Sequence, residues 1–111
     1  MSAQGPIRPA VFHILLALAE EDRHGLGIAE AIRVATDGSV IMGPGTLYRS
    51  LKEMARDGLI REVASPDQAD DPRRRFYALT EEGLTAARAE AGRWARVVDV
   101  ARNARVLPES T

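Results

Sequence analysis

The sequence contains no cysteine, which excludes disulfides, thiol nucleophiles and cysteine-based metal sites. Aromatic residues make up only 5% of it, with one tryptophan, Trp94, so a core must be built from aliphatic side chains and alanine. No apolar run approaches the roughly 20 residues that cross a bilayer, and no cleavable leader is recognisable. The expectation is a cytoplasmic protein that does not meet the membrane. An excess of charge of either sign is also missing: 15 cationic residues face 16 acidic ones, for a net charge of −1. Nucleic-acid binders are usually basic overall. Any such function here must therefore come from where the cations stand, not from their sum.

What is present fits one ordinary globular domain. The chain has 111 residues, 45% apolar and 28% charged. Residues 1–8, with Gly5 and Pro6, read as a loose arm. A helix starts at Pro9 and runs to about Glu21, apolar nearly all round (Val11, Phe12, Ile14, Leu15, Leu16, Leu18), as a central helix must be. Asp22 to Gly25 reads as a tight connection. A second helix follows, carrying Ile28, Ile32 and Ala35 on one face and ending at Gly38. Val40 and Ile41 suit a very short strand.

The segment from Gly43 to Ile60 carries the strongest signal. Gly43-Pro44-Gly45 starts a helix and Gly58 stops it. At 3.6 residues per turn Leu47, Leu51, Met54 and Ala55 share one side. Arg49, Lys52 and Arg56 share the opposite side, flanked by Tyr48 and by Thr46, Ser50 and Glu53. A core-anchored helix that turns cations and a tyrosine outward suits the DNA major groove. Arg49 and Lys52 can donate to guanine edges, and Thr46, Ser50 and Tyr48 to phosphates. The competing reading is a plain solvated face.

Ile60 to Ala64 and Arg73 to Leu79 read as two strands joined by a turn-rich loop. Two strands directly after a helix-turn-helix make a winged helix-turn-helix, so the fold class is mainly α with a small β-hairpin, over residues 9–79. Arg73 and Arg74 stand where a wing would meet DNA; alternatively the run Arg73-Arg74-Arg75 neutralises Asp67, Asp70 and Asp71. Catalysis finds no materials. His13 reads as a core-edge residue, His24 as a turn residue, and no cofactor or metal motif is present.

Thr80 is a helix N-cap, with Glu81 and Glu82 at the positive end of a last helix spanning residues 80–106, before a tail at 107–111. Its residues Leu84, Ala87, Ala91, Trp94, Val98 and Ala101 recur at alternating spacings of three and four. That is a narrow heptad seam, and it implies a homodimer. On it Trp94, with Val98, either fills the dimer interface or walls a site for a small aromatic effector.

Taken together, His24-Gly25-Leu26-Gly27-Ile28, Gly45-Thr46-Leu47-Tyr48, Asp57-Gly58-Leu59-Ile60 and Arg73 to Gly83 resemble the PadR family of transcriptional regulators, in its short form with one C-terminal helix. The similarity covers residues 9 to about 102, departing at His24 and Gly27, where tyrosine and an acidic residue are more usual. It implies a homodimeric winged-helix repressor that reads double-stranded operator DNA with the third helix and dimerises through the last. It also implies, from Trp94-Ala95-Arg96-Val97, flat apolar effectors held between facing tryptophans. The alternative is a winged-helix module used only for protein contacts.

Overall fold

Pro9 occupies the first position of helix α1 (Pro9–Glu20), where its missing N–H leaves no hydrogen bond unmade. This computed structural model describes residues 6–64 and 75–108. Val11, Phe12, Ile14, Leu15, Ala17 and Leu18 of α1 are all buried, so the helix is the axis around which the others pack. Arg23 closes it: the guanidinium donates to the Ala17 carbonyl at 2.9 Å and pairs with Glu20 at 2.7 Å. Those contacts satisfy part of the helix C-terminus and place cationic charge at its negative end.

Arg23 and His24 are not merely a connection. They form strand β1 (Arg23–His24), antiparallel to β3 (Phe76–Leu79), which also pairs with β2 (Ile60–Val63). The sheet has three strands in the order β1-β3-β2, one more than the hairpin the sequence suggests. A two-residue strand has too few positions for alternation to show, so only the partner strand reveals it.

His24 then caps helix α2 (Gly25–Ala35), its Nδ1 accepting from the Gly27 N–H at 3.1 Å. Its ring stands edge-on to Phe76, with centroids 5.5 Å apart. Ile28 and Ile32 of α2 are buried, while Ala35, expected on the same face, is exposed. After the left-handed pair Asp37 (φ 52°) and Gly38 (φ 80°), Val40 and Ile41 run as loop and not as a strand. The Val40 N–H is held by the Thr36 hydroxyl at 3.1 Å, a local bond that replaces any ladder.

Helix α3 (Pro44–Arg56) ends on Gly58 at φ 81°. The Leu59 N–H reaches the Met54 carbonyl at 2.9 Å and the Gly58 N–H reaches Ala55 at 3.2 Å. This paired closure needs the left-handed residue that glycine supplies. Helix α4 (Glu81–Asn103) begins at Thr80, whose hydroxyl accepts from the Gly83 N–H at 3.0 Å and donates to the Gly58 carbonyl at 2.6 Å. One threonine thus joins the start of α4 to the end of α3.

The first half of α4 covers the domain and the second half leaves it. Gly83, Ala87 and Glu90 are buried, and Ala87 belongs to the same core as Ile14, Leu47 and Ile60. Ala87 is therefore withdrawn from the dimer seam: α1 and β3 would lie bare unless α4 crossed them, and Ala87 makes that crossing. Beyond Arg93, Val97 and Val100 are exposed at 67% and 63%, with Val98 and Ala101 half-buried. The radius of gyration, 15.4 Å, exceeds the about 13 Å of a compact chain of this length.

Glu90 is a buried carboxylate that gathers three donors. The Arg93 guanidinium approaches at 2.8 and 3.0 Å, the Trp94 indole N–H at 2.9 Å and the Ile7 N–H at 3.4 Å. The hydrogen bonds from Arg93, with those of Trp94 and Ile7, hold its carboxyl below the usual carboxylate range despite burial. A folded-state value below the unfolded one contributes stability above the ordinary carboxylate range. That stability is lost as pH falls through the depressed value. The thermal midpoint of the native protein should exceed that of Glu90→Gln at about pH 7, and the gap should shrink towards about pH 3. A gap that stays constant across that range would show that the charge on Glu90 contributes nothing.

Candidate nucleic-acid interface

Helix α3 divides as an interface helix must. Leu47, Leu51 and Met54 are each about 1% exposed and lock it to α1 and α2. Thr46, Tyr48, Arg49, Lys52 and Arg56 all face solvent. A helix fixed on its back by three fully buried side chains presents its front at small entropic cost, because the rigid body is already ordered.

Two expected positions on α3 are different. Ser50 is buried to 1%, and its Oγ has no hydrogen-bond partner among the described residues. It lies between Leu47 and Met54 on the inward arc, so its side chain is not on the outer face where a phosphate contact was expected. Ala55, expected on the inward side, is exposed. Both shifts have one cause: the buried arc runs 47-50-51-54, about one position round from the arc that the largest apolar side chains alone suggest.

The charges on the front face are only partly compensated. Glu53, which stands amid the cations in sequence, is engaged by Arg8 at 2.7 Å. Arg56 pairs with its neighbour Asp57 at 3.1 Å, an exposed contact worth about 0–1 kcal/mol. Arg49 and Lys52 enter no ion pair among the described residues. They lie three positions apart, on one face.

Tyr48 is held by an absence. A β-carbon on Gly25 would lie 2.7 Å from the Tyr48 hydroxyl, so the phenol occupies space that a side chain at the start of α2 would fill. Thr46 stands in the first turn of α3, where backbone N–H groups lack helical partners. A β-carbon on Gly45 would meet nothing within 4 Å, so this end of the helix is open.

On the wing, Arg61 of β2 is exposed, a cation that strand alternation from buried Ile60 could have revealed. Arg75 is bound to Glu62 across the hairpin at 2.8 Å. Arg73 and Arg74 lie outside the described residues. At the C-terminal end Trp94 is 42% exposed, with its ring 5.1 Å from Phe12 and 6.4 Å from His13 between centroids. His13 is half-buried at the edge of the core, as expected. Among the described residues no cluster of His, Cys, Asp and Glu could hold a metal ion, and no helix is long and apolar enough to cross a membrane.

Comparison with known proteins agrees with this arrangement. Residues 14–89 match the model of the transcriptional regulator PadR-like family. A PadR family transcription regulator from Clostridium difficile R20291 is 28% identical, with a TM-score of 0.71 over 85% of this chain and 95% of its own. A transcriptional regulator from Clostridium thermocellum is 25% identical, also with a TM-score of 0.71, over 85% of this chain and 87% of its own. RosR of H. salinarum is 26% identical, with a TM-score of 0.63 over 91% and 96% of the two chains. No curated protein shows significant similarity. The family consists of regulators of transcription and not of enzymes. With a core-locked α3 whose cations face outward, a wing beside it, and a family match over well more than half its length, the chain belongs to the PadR-like family of transcriptional regulators.

Proposed function

We propose that this regulator is a homodimeric repressor whose two copies of α3 enter successive major grooves of an operator. The observation that carries the reading is the unopposed pair Arg49 and Lys52 on the outer face of a helix fixed by Leu47, Leu51 and Met54. In this reading Arg49 and Lys52 read base edges, while Thr46, Tyr48 and Arg56 contact phosphates. Arg73 and Arg74 supply the wing's contact with the backbone or minor groove. Half-sites then lie about 34 Å apart, one helical turn.

Titration of DNA from the gene's own upstream region tests it. Log affinity should fall linearly with log salt, by about 0.9 per phosphate contact. A flat profile, or no complex at low salt, would instead favour a module for protein contacts, which the net charge of −1 would suit.

The dimer is proposed to form through the second half of α4. Leu84 and Ala91 flank the face, while Trp94, Val97, Val98, Val100 and Ala101 provide most of its apolar surface. A lone chain leaves Val97 and Val100 largely in water and Trp94 partly so, and burying them against a second copy gains about 25 cal/mol per Å² of apolar area. One face of Trp94 is backed by Phe12, and its other face is offered to a flat apolar effector held between subunits. Val97→Glu should yield monomers by sedimentation. Planar aromatic compounds should quench Trp94 fluorescence in the native protein and not in that variant. Dimers that survive Val97→Glu would place the interface elsewhere.

A further inference from the structure

One carboxylate stands on the cationic flank of α3. Glu53 lies four positions after Arg49, the spacing at which an acid and an arginine on one helix face meet. An Arg49 drawn into that pair would lie along the helix instead of reaching out to a base edge. Yet Arg49 enters no ion pair among the described residues. The Glu53 carboxylate is taken by Arg8 at 2.7 Å, from 45 positions away in the chain.

The backbone places Arg8 for this contact. Arg8 immediately precedes Pro9, which confines it to extended geometry, observed at φ −63° and ψ 144°. Its carbonyl accepts the Phe12 N–H at 3.0 Å and so opens the hydrogen-bond ladder of α1. On its other side Ile7 packs against the core and donates its N–H to Glu90 at 3.4 Å. A side chain that leaves a backbone held on both sides gives up less freedom on meeting its partner. The pair itself is exposed, and such pairs contribute little to stability. What it changes is the charge that α3 turns outward.

We propose that Arg8 is a positioning residue for operator recognition: by holding Glu53 it keeps that carboxylate from Arg49 and from the phosphates of bound DNA. Without Arg8, Glu53 acts in two ways. It competes with the bases for the Arg49 guanidinium, and it sets an uncompensated negative charge beside a polyanion, a juxtaposition that is costly at an interface. The effect on DNA rests on the operator-binding role of α3; the hold of Arg8 on Glu53 does not.

Operator affinity by fluorescence anisotropy, on the full chain, tests the effect on DNA. Arg8→Ala should weaken binding about tenfold, the lower end of what a lost base-reading cation accounts for. The thermal midpoint should stay nearly unchanged, because the pair is exposed. In a Glu53→Gln background the same substitution should alter affinity by no more than about twofold, since no carboxylate is left to hold. Arg8→Lys, which keeps the cation, should stay within about threefold of native protein.

Unaltered affinity in Arg8→Ala, or a loss in Arg8→Lys as large as in Arg8→Ala, would overturn the proposal. A loss that persists in the Glu53→Gln background would overturn it too. A salt slope lowered by about 0.9 in that background would make Arg8 itself a phosphate contact. The hold on Glu53 is read without DNA: the side-chain N–H resonances of Arg8 in ¹⁵N-labelled protein should move on Glu53→Gln. Resonances that stay in place would show that the two side chains are not engaged, whatever the operator does. Native protein that binds no operator, with those resonances moving as expected, would instead fail the operator-binding role of α3.

Discussion

Arg49→Ala combined with Lys52→Ala is expected to abolish specific operator binding while leaving the thermal midpoint nearly unchanged. Each cation that reads a base edge accounts for roughly 1–3 kcal/mol of discrimination. Loss of both corresponds to about 2–6 kcal/mol, or roughly 30-fold to 10⁴-fold in affinity at about 1.4 kcal/mol per tenfold. The two residues are neighbours on one helix face, so the double variant should depart from the sum of the single ones. Stability should hold because both side chains are exposed and enter no ion pair among the described residues. Ser50→Ala is the control: its buried hydroxyl makes no hydrogen bond among the described residues, so its loss should leave the operator affinity unaltered. Fluorescence anisotropy with labelled operator measures all three. Full affinity in the double variant would remove α3 from the interface.

Gly83→Ala is expected to destabilise the protein by about 3 kcal/mol or more, beyond the middle of the range for overpacked sites. A β-carbon at Gly83 would overlap the carbonyl oxygen of Leu59, and would also press on Leu79 at 2.8 Å. The Leu59 carbonyl cannot turn away, because it accepts the Thr80 N–H at 3.1 Å. Relief of the overlap would therefore pull α4 off the α3–β2 turn and strain the cap that Thr80 provides. Helix propensity alone argues the opposite sign, since alanine is about 1 kcal/mol better than glycine within a helix. The direction of the change thus decides between the two. Calorimetry should show a midpoint lowered by about 12 °C or more, at roughly 4 °C per kcal/mol; an unchanged or raised midpoint would show that the contact is not close.

Much of the fold was legible because its signals are local. Pro9 and Pro44 at helix starts, Gly58 at φ 81° and Thr80 as a cap act through bonds to residues a few places away. The outward placing of Thr46, Tyr48, Arg49, Lys52 and Arg56 followed from helical periodicity for the same reason. Ser50 and Ala55 were misplaced because periodicity gives the direction of a face only to within about a residue. Both are small and neither choice is strongly penalised by hydropathy. Strand β1 was missed because two residues carry no period. The seam on α4 was drawn too far towards its start because spacing cannot tell an apolar contact within a chain from one between chains. Ala87 makes the first kind.

By itself the order of residues determined the helix starts at Pro9, Pro44 and Thr80, the polarised third helix and, through the lack of cysteine, the exclusion of thiol chemistry. These depend on backbone propensity, periodicity and composition, which act over one or two turns. Tertiary structure alone decided which half of α4 the domain claims, that Glu90 gathers Arg93, Trp94 and Ile7, and that Gly25 and Gly83 must be bare. It also brought Arg8 to Glu53. Those contacts join elements far apart along the chain, and only packing around α1 fixes the distances between them.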